Sequence, residues 1–165
     1  MRRFVMIVLL VSCCLIAIPA GDLYAQESAK PEWKYVTFSY GPHGEKDKVF
    51  YDTKNVEQTS EGFTQVRLKY LGVHDNEQEK QKRLDALKQN REHNGFSLKD
   101  YDRFAYSVMV VEFDCKKKLR RYPCVMDYDG NDKRIGDQCI EELPWQKIPE
   151  ESLAKIVFDA VCGSK

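Results

Sequence analysis

The residues with the most definite chemistry in this sequence are its six cysteines. Cys13 and Cys14 lie in an apolar N-terminal stretch. The other four are Cys115, Cys124, Cys139 and Cys162. No Cys-x-x-Cys pair occurs, and the spacings of the last four fit no zinc module. In an exported chain an even number of cysteines indicates disulfide bonds. We therefore expect structural cross-links, not a metal site or a catalytic thiol.

The densest cluster of charge is a basic run at residues 116–121. It contains Lys116, Lys117, Lys118, Arg120 and Arg121. Such a run can attract heparin-like polyanions, lipid head groups or an acidic protein surface, and we predict these five residues as the candidate partner-binding site. The alternative is the solvated tip of a hairpin. If the segment is a strand, successive side chains point to opposite faces, which dilutes the patch.

A short acidic motif beginning at Asp127 matches a calcium loop only in part. Asp127, Asp129 and Asn131 occupy the first three ligand positions of an EF-hand. The sixth position is Asp132 where the motif needs glycine, and the twelfth is Gln138 where it needs glutamate. We therefore predict a turn here and no metal site.

Little in the sequence points to catalysis. His74 and His93 are too far apart in sequence for the two-ligand spacing of a helix, and we interpret them, with His43, as surface residues. The sequence contains no G-x-S-x-G, H-E-x-x-H, P-loop or Rossmann fingerprint. We predict that the protein is not an enzyme and uses no cofactor.

The length and charge of the chain limit the remaining classes. Its 165 residues are enough for one ordinary domain but not for a large multidomain enzyme. With 42% hydrophobic residues the chain can form a core and is not typical of a disordered protein. The 26 Lys and Arg residues balance the 26 Asp and Glu residues. The chain therefore has no net positive charge that would attract nucleic acid, and nucleic acid is not an expected partner.

The N-terminus has the features of an export signal. Basic residues at positions 2 and 3 precede an apolar run from Phe4 to Ile18, which is shorter than the ~20 residues needed to span a bilayer. Cleavage after Ala25 would leave a short linker at residues 26–32 and one domain at residues 33–165. The sequence thus predicts a signal peptide at residues 1–25.

Other interpretations of the N-terminus are cleavage after Ala20, an uncleaved anchor, and a lipoprotein signal. The residues up to Cys13 resemble a lipobox, at which bacterial lipoproteins are cut and acylated. We expect an exported protein of the periplasm, the cell surface or the medium. Contact with a membrane, as in an outer-membrane lipoprotein, would require acylation of Cys13.

Six segments have the sequence pattern of strands. Residues 63–70 alternate between apolar and polar, as in a half-buried strand. Residues 104–113 are apolar on both faces, which predicts a central strand. We expect Pro123 to mark a bulge or an unpaired stretch, and the Asp129-Gly130 pair to supply the positive φ of a hairpin turn. The remaining predicted strands are 33–40, 49–51, 119–127 and 133–139.

A polar helix is predicted over residues 76–93, which are rich in helix-forming residues and end at Asn94-Gly95. Its only sizeable apolar residues are Leu84 and Leu87. So little apolar area indicates a helix that lies on the surface.

A second helix is predicted after Pro149, over residues 150–161. Its apolar stripe is formed by Leu153, Ile156, Val157, Ala160 and Val161. We expect this stripe to pack on the sheet. Because strands and helices do not alternate, we predict an α+β fold with a six-stranded antiparallel sheet and two helices.

Several short motifs, in this order and spacing, together resemble the surface-adhesin protein E-like domain family. They are Trp33-Lys34-Tyr35-Val36, Phe50-Tyr51-Asp52 with Val56, Tyr101, Glu112-Phe113-Asp114-Cys115, Asp127-Tyr128-Asp129-Gly130, Trp145, Ile148-Pro149, Ser152 and Cys162. The resemblance covers nearly all of residues 33–162. It implies an exported bacterial domain whose C-terminal helix is tied across one face of the sheet by a disulfide between Cys115 and Cys162. The family's named member is an adhesin that binds host matrix and serum proteins. Host matrix proteins, envelope proteins or polyanions are therefore the implied partners.

The four cysteines of the domain allow three disulfide pairings. In a hairpin that turns near residues 130–132, Cys124 and Cys139 lie almost opposite each other if one bulge is allowed. Cys115 and Cys162 would then join the last helix to the central strand. A bond from Cys115 to Cys124 is the open alternative, although the residues between them lack a turn former.

Together these features predict an exported bacterial surface or periplasmic protein that acts as a non-enzymatic, adhesin-like protein-binding module. The alternatives are a small envelope lipoprotein with a structural role, and a small exported enzyme or inhibitor. A polar pocket beside His74 or His93 would favour the last of these. A dimer is one option for the assembly.

Overall fold

The computed structural model describes residues 30–41, 45–140 and 142–163. The predicted signal peptide, Cys13 and His43 lie outside these residues. The described elements are β1 (Trp33–Tyr40), β2 (Lys46–Asp52), β3 (Glu57–Gln58), β4 (Thr64–Val73), α1 (Glu77–His93), β5 (Phe104–Asp114), β6 (Leu119–Asp129), β7 (Arg134–Cys139), β8 (Gln146–Lys147) and α2 (Leu153–Cys162). Neither α-helix of the described chain is long and apolar enough to cross a membrane.

The strands form one antiparallel sheet in the order β1-β2-β4-β5-β6-β7. These are the six predicted strands, and the α+β prediction is confirmed. Two short strands were not predicted: β3 pairs with β4, and β8 pairs with β6. Each has two residues, which is too short to show an alternating pattern.

The central strands β4 and β5 bury side chains on both faces of the sheet. On one face, Val66, Val111 and Phe113 pack against Val157 of α2. On the other face, a second core contains Tyr106, Val108, Val110, Cys124 and Met126. The prediction that β5 is covered on both faces is confirmed.

Helix α2 begins later than predicted and buries a different stripe. The Ser152 side chain accepts a hydrogen bond from the Lys155 N–H at 3.2 Å, so the helix begins at residue 153 and not at residue 150. The buried residues are Ala154, Val157 and Phe158. Ile156 was predicted to face the sheet but is 50% exposed. Phe158 was not part of the predicted stripe. It packs on Phe113 with 5.7 Å between ring centroids, so the helix buries the face that carries Phe158.

Helix α1 lies on the surface, as predicted, and none of its residues is buried. The Asn76 side chain caps its first turn by accepting from the Glu79 N–H at 2.9 Å. It ends at His93 with Asn94 as its C-cap, and Gly95 follows with a φ of +79°. Because α1 has no apolar face, charged side chains attach it to the rest of the domain.

The turn between β6 and β7 differs from the predicted one. Gly130 does not adopt a positive φ; Asp132 does, at +60°. The Asp129 carboxylate accepts hydrogen bonds from the N–H groups of Asn131 (2.8 Å) and Lys133 (3.0 Å). These bonds stabilise a turn that is longer than the predicted one and has its left-handed residue, Asp132, near its end. Pro123 lies where the β5–β6 register shifts, which confirms the predicted bulge.

Candidate binding surfaces

The first three residues of the predicted basic run form the turn between β5 and β6. Lys116, Lys117 and Lys118, which we call the lysine turn, are all exposed. The Asp114 side chain accepts hydrogen bonds from the N–H groups of Lys116 (3.1 Å) and Lys117 (2.9 Å). The bond from the Lys117 N–H is the main reason why the pKa of Asp114 is lowered. The backbone that carries the three lysines is thus fixed by one carboxylate.

A disulfide lies directly beside the lysine turn. Cys115 is bonded to Cys162, with 5.6 Å between their Cα atoms. This bond ties the end of α2 to the sheet, and the predicted tether is confirmed. The structure also joins Cys124 to Cys139, which are paired residues of β6 and β7. The turn therefore projects from a hairpin that carries two covalent links.

Arg121 is held within the protein instead of facing a partner. Its Nε donates to the buried Glu112 carboxylate at 2.6 Å. Its guanidinium carbon lies 4.6 Å from the Trp145 ring centroid and 5.5 Å from that of Phe63. These contacts connect β6 to the chain that precedes α2. Truncation of Arg121 would leave Glu112 as an unpaired buried charge.

Arg120 points away from Arg121 and is also partly buried. Its guanidinium carbon lies 5.1 Å from the Tyr122 ring centroid. Its Nε is buried and has no hydrogen-bond partner within the described chain. The predicted basic run therefore has two parts: the exposed lysine turn, and two arginines that pack against aromatic rings.

A further lysine lies close to the turn in space but not in sequence. Lys147 of β8 is paired with Leu119, the residue that follows the turn, and its side chain is exposed. The sequence analysis missed it because a two-residue strand that pairs across more than twenty residues has no local signal.

A groove of about 740 Å³ lies at the far end of the sheet, beside His74. It is bounded by the ends of β1 and β4, the start of β2 and one side of α1. Its lining is formed by Tyr40, Glu45, Lys46, Val73, His74, Asp75, Glu79, Lys82, Arg83 and Ala86. None of these residues was predicted as a site residue, and His74 was interpreted as a surface residue.

His74 is half-buried in this groove, so the prediction of a surface histidine is only partly right. A Cβ on Gly72 would lie 2.8 Å from the His74 ring and 3.3 Å from the Arg83 guanidinium. Glycine at position 72 therefore lets both side chains fold over the sheet. Burial, and next the positive charge of Arg83, lowers the pKa of His74. Both effects disfavour the charged imidazolium form. His93 is exposed at the other end of α1.

The acidic residues of the partial calcium motif have other roles. Asp127 is fully buried. Its carboxylate accepts from Arg91 Nε (2.7 Å), the Tyr101 hydroxyl (2.7 Å) and the Ser107 hydroxyl (2.6 Å). Asp129 holds the β6–β7 turn. The described residues contain no group of three His, Cys, Asp or Glu side chains that could hold a metal ion.

The comparison with known proteins gives one match. A family model for surface-adhesin protein E matches residues 33–163, which is most of the chain. No curated protein and no solved structure matches it.

Proposed function

The chain belongs to the surface-adhesin protein E family, and we propose that it is an exported, non-enzymatic module that binds other proteins through the lysine turn. The observation that carries this proposal is the exposure of Lys116, Lys117 and Lys118 on a backbone fixed by Asp114 and the Cys115–Cys162 bond. Three exposed lysines on one turn attract an acidic surface and steer association with it. Host matrix proteins or envelope proteins with acidic surfaces are the proposed partners.

The test replaces only the three lysines of the turn. The variant Lys116→Ser/Lys117→Ser/Lys118→Ser should lower affinity for immobilised extracellular-matrix proteins about tenfold, because it removes three charges that attract an acidic partner. The measurement is made at low salt, since attraction between solvated charges is screened over ~10 Å at 0.1 M salt. Its melting temperature should stay almost unchanged, since exposed charges contribute little to stability. Arg120 and Arg121 are left in place because their contacts are intramolecular.

The matched control carries the same change in charge at other exposed lysines, Lys54→Ser/Lys99→Ser/Lys133→Ser. It should bind as the unchanged protein does. Equal affinity of the turn variant and the control would contradict the proposal. A loss of binding only to heparin would identify a polyanion as the partner in place of a protein.

We propose, further, that the mature chain begins at Gln26 without a lipid and is released to the periplasm or the cell surface. The apolar run that ends before Pro19, followed by Ala25, supports this. Mass spectrometry of the mature N-terminus tests it. Recovery of an acylated Cys13 would contradict it and would identify an envelope lipoprotein.

The groove beside His74 favours a second candidate, a small exported enzyme or inhibitor. His74, Asp75 and Glu79 in its lining could act as acids or bases. Among the described residues of the lining there is no serine, threonine or cysteine nucleophile. Hydrolysis of chromogenic esters or glycosides that disappears in a His74→Gln variant would establish this candidate.

A further inference from the structure

The groove beside His74 presents charges of both signs among its described lining residues. The cationic side chains are Lys46, Lys82 and Arg83, and the carboxylates are Glu45, Asp75 and Glu79. An anionic ligand would meet the carboxylates, and a cationic ligand would meet the cations. A ligand with a net charge of either sign therefore gains little electrostatic energy overall.

The polar groups of the groove include both hydrogen-bond donors and acceptors, and several are held in position. Arg83 donates to the Lys46 carbonyl at 3.2 Å and also to the Asp47 carboxylate. Glu79 accepts from the Asp75 N–H at 3.1 Å. Groups that are already held lose little freedom when a ligand binds. A hydroxyl group both donates and accepts, so a ligand rich in hydroxyl groups can satisfy such a lining.

The apolar part of the groove is small and includes one exposed aromatic ring. Tyr40 is 68% exposed, and the aliphatic residues of the described lining are Val73 and Ala86. A peptide would need apolar pockets for its anchoring side chains, which this lining does not supply. An exposed ring does suit the C–H face of a sugar.

We propose that this groove binds a short, uncharged oligosaccharide. Tyr40 packs against one sugar ring, while Asp75, His74 and Lys82 form hydrogen bonds with its hydroxyl groups. The volume of about 740 Å³ lies within the ~300–1,000 Å³ typical of ligand sites. The site is distinct from the lysine turn, because the two lie at opposite ends of β4: Thr64 pairs with Phe113 next to the turn, and Val73 lines the groove.

The test is an NMR titration of the mature, oxidised protein with three neutral probes: chitotetraose, maltotetraose and lacto-N-tetraose. At least one should shift the amide signals of residues 73–75 and 82–86, with a dissociation constant of about 1 mM because an open groove makes few contacts. Tyr40→Ala should weaken binding about tenfold, and Ala86→Trp should block it by filling the groove.

The controls place the same chemical changes outside the groove. Tyr35→Ala removes another exposed ring from β1, and Gln81→Trp adds an indole to the opposite face of α1, where residue 81 is exposed. Both variants should bind as the unchanged protein does. The lysine-turn variant should also bind the sugar, so the two proposals fail independently. The oligosaccharide proposal is overturned if no neutral probe shifts these signals, if Tyr40→Ala binds normally, or if a heparin tetrasaccharide or a neutral hexapeptide binds more tightly.

Discussion

At the scale of single residues, the buried Tyr101 hydroxyl has room for its hydrogen bond because residue 136 of β7 is a glycine. Its oxygen donates to Asp127 at 2.7 Å, and a Cβ at Gly136 would lie 2.6 Å from that oxygen. Gly136 has no positive φ, so the requirement for glycine comes from space and not from backbone conformation.

Gly136→Ala should therefore destabilise the protein by about 1–3 kcal/mol, because the hydroxyl must move away from its acceptor. Urea-induced unfolding measures the change. Gly130→Ala is the matched control, since a Cβ there meets nothing within 4 Å, and it should change stability by less than about 0.5 kcal/mol. Equal stability of the two variants would show that Tyr101 moves without loss.

At the scale of elements, the two helices are held in different ways. Helix α2 packs through Val157 and Phe158 and through a disulfide. Helix α1 is attached by ion pairs: Arg83 with Asp47, Lys88 with Asp102, and Arg91 with Asp127. The pairs differ in burial, because the Asp127 side chain is fully buried while that of Asp102 is 87% exposed.

Arg91→Met should lower the free energy of unfolding by about 3–5 kcal/mol, because it leaves the buried Asp127 carboxylate without its cation. Lys88→Met, one turn earlier on α1, should cost less than about 1 kcal/mol. Hydrogen exchange should show faster exchange of α1 amides in the Arg91 variant, while β4 and β5 keep the highest protection. If the two substitutions have the same effect, the buried pair is not the main attachment of α1.

Elements with a periodic pattern could be predicted from the sequence, and so could the two disulfides, because cysteines in an exported chain pair with each other. Other contacts between distant segments could not be predicted. Buried positions carry apolar residues, so the alternation in β4 and the two-sided apolar pattern of β5 show directly which side chains are buried. The contacts of Arg121 with Phe63 and Trp145 join three separate segments, so no local sequence pattern predicts them. The groove likewise depends on how α1 lies across the strand ends. The lysine turn could be predicted as a basic run, but not its separation from the two arginines.

At the scale of the whole molecule, two disulfides restrain the second half of the domain. Their closed loops differ in length, with sequence separations of 47 residues for Cys115–Cys162 and 15 for Cys124–Cys139. In the chain-entropy account, the longer loop contributes more stability because its closure removes more freedom from the unfolded chain.

Cys115→Ala/Cys162→Ala should destabilise the protein by about 4 kcal/mol, and Cys124→Ala/Cys139→Ala by about 3 kcal/mol. Chemical denaturation of both variants, beside the fully oxidised protein, measures the two values. The helical circular-dichroism signal should persist in the first variant, because Val157 is still buried against the sheet. A larger loss from the short loop would contradict the chain-entropy account for this domain.

The Cys115–Cys162 bond also fixes the path that a mechanical load takes through the protein. When the chain is stretched between residues 30 and 163, tension passes along the strands up to Cys115 and then directly through the two sulfur atoms to Cys162. The segment between them, which carries the lysine turn and the second disulfide, bears no tension while that bond is intact. Reduction of this single bond would add roughly 110 Å to the extended contour of the chain, because the intact Cys124–Cys139 bond still closes the loop between those two cysteines. It would also bring the lysine turn into the loaded path.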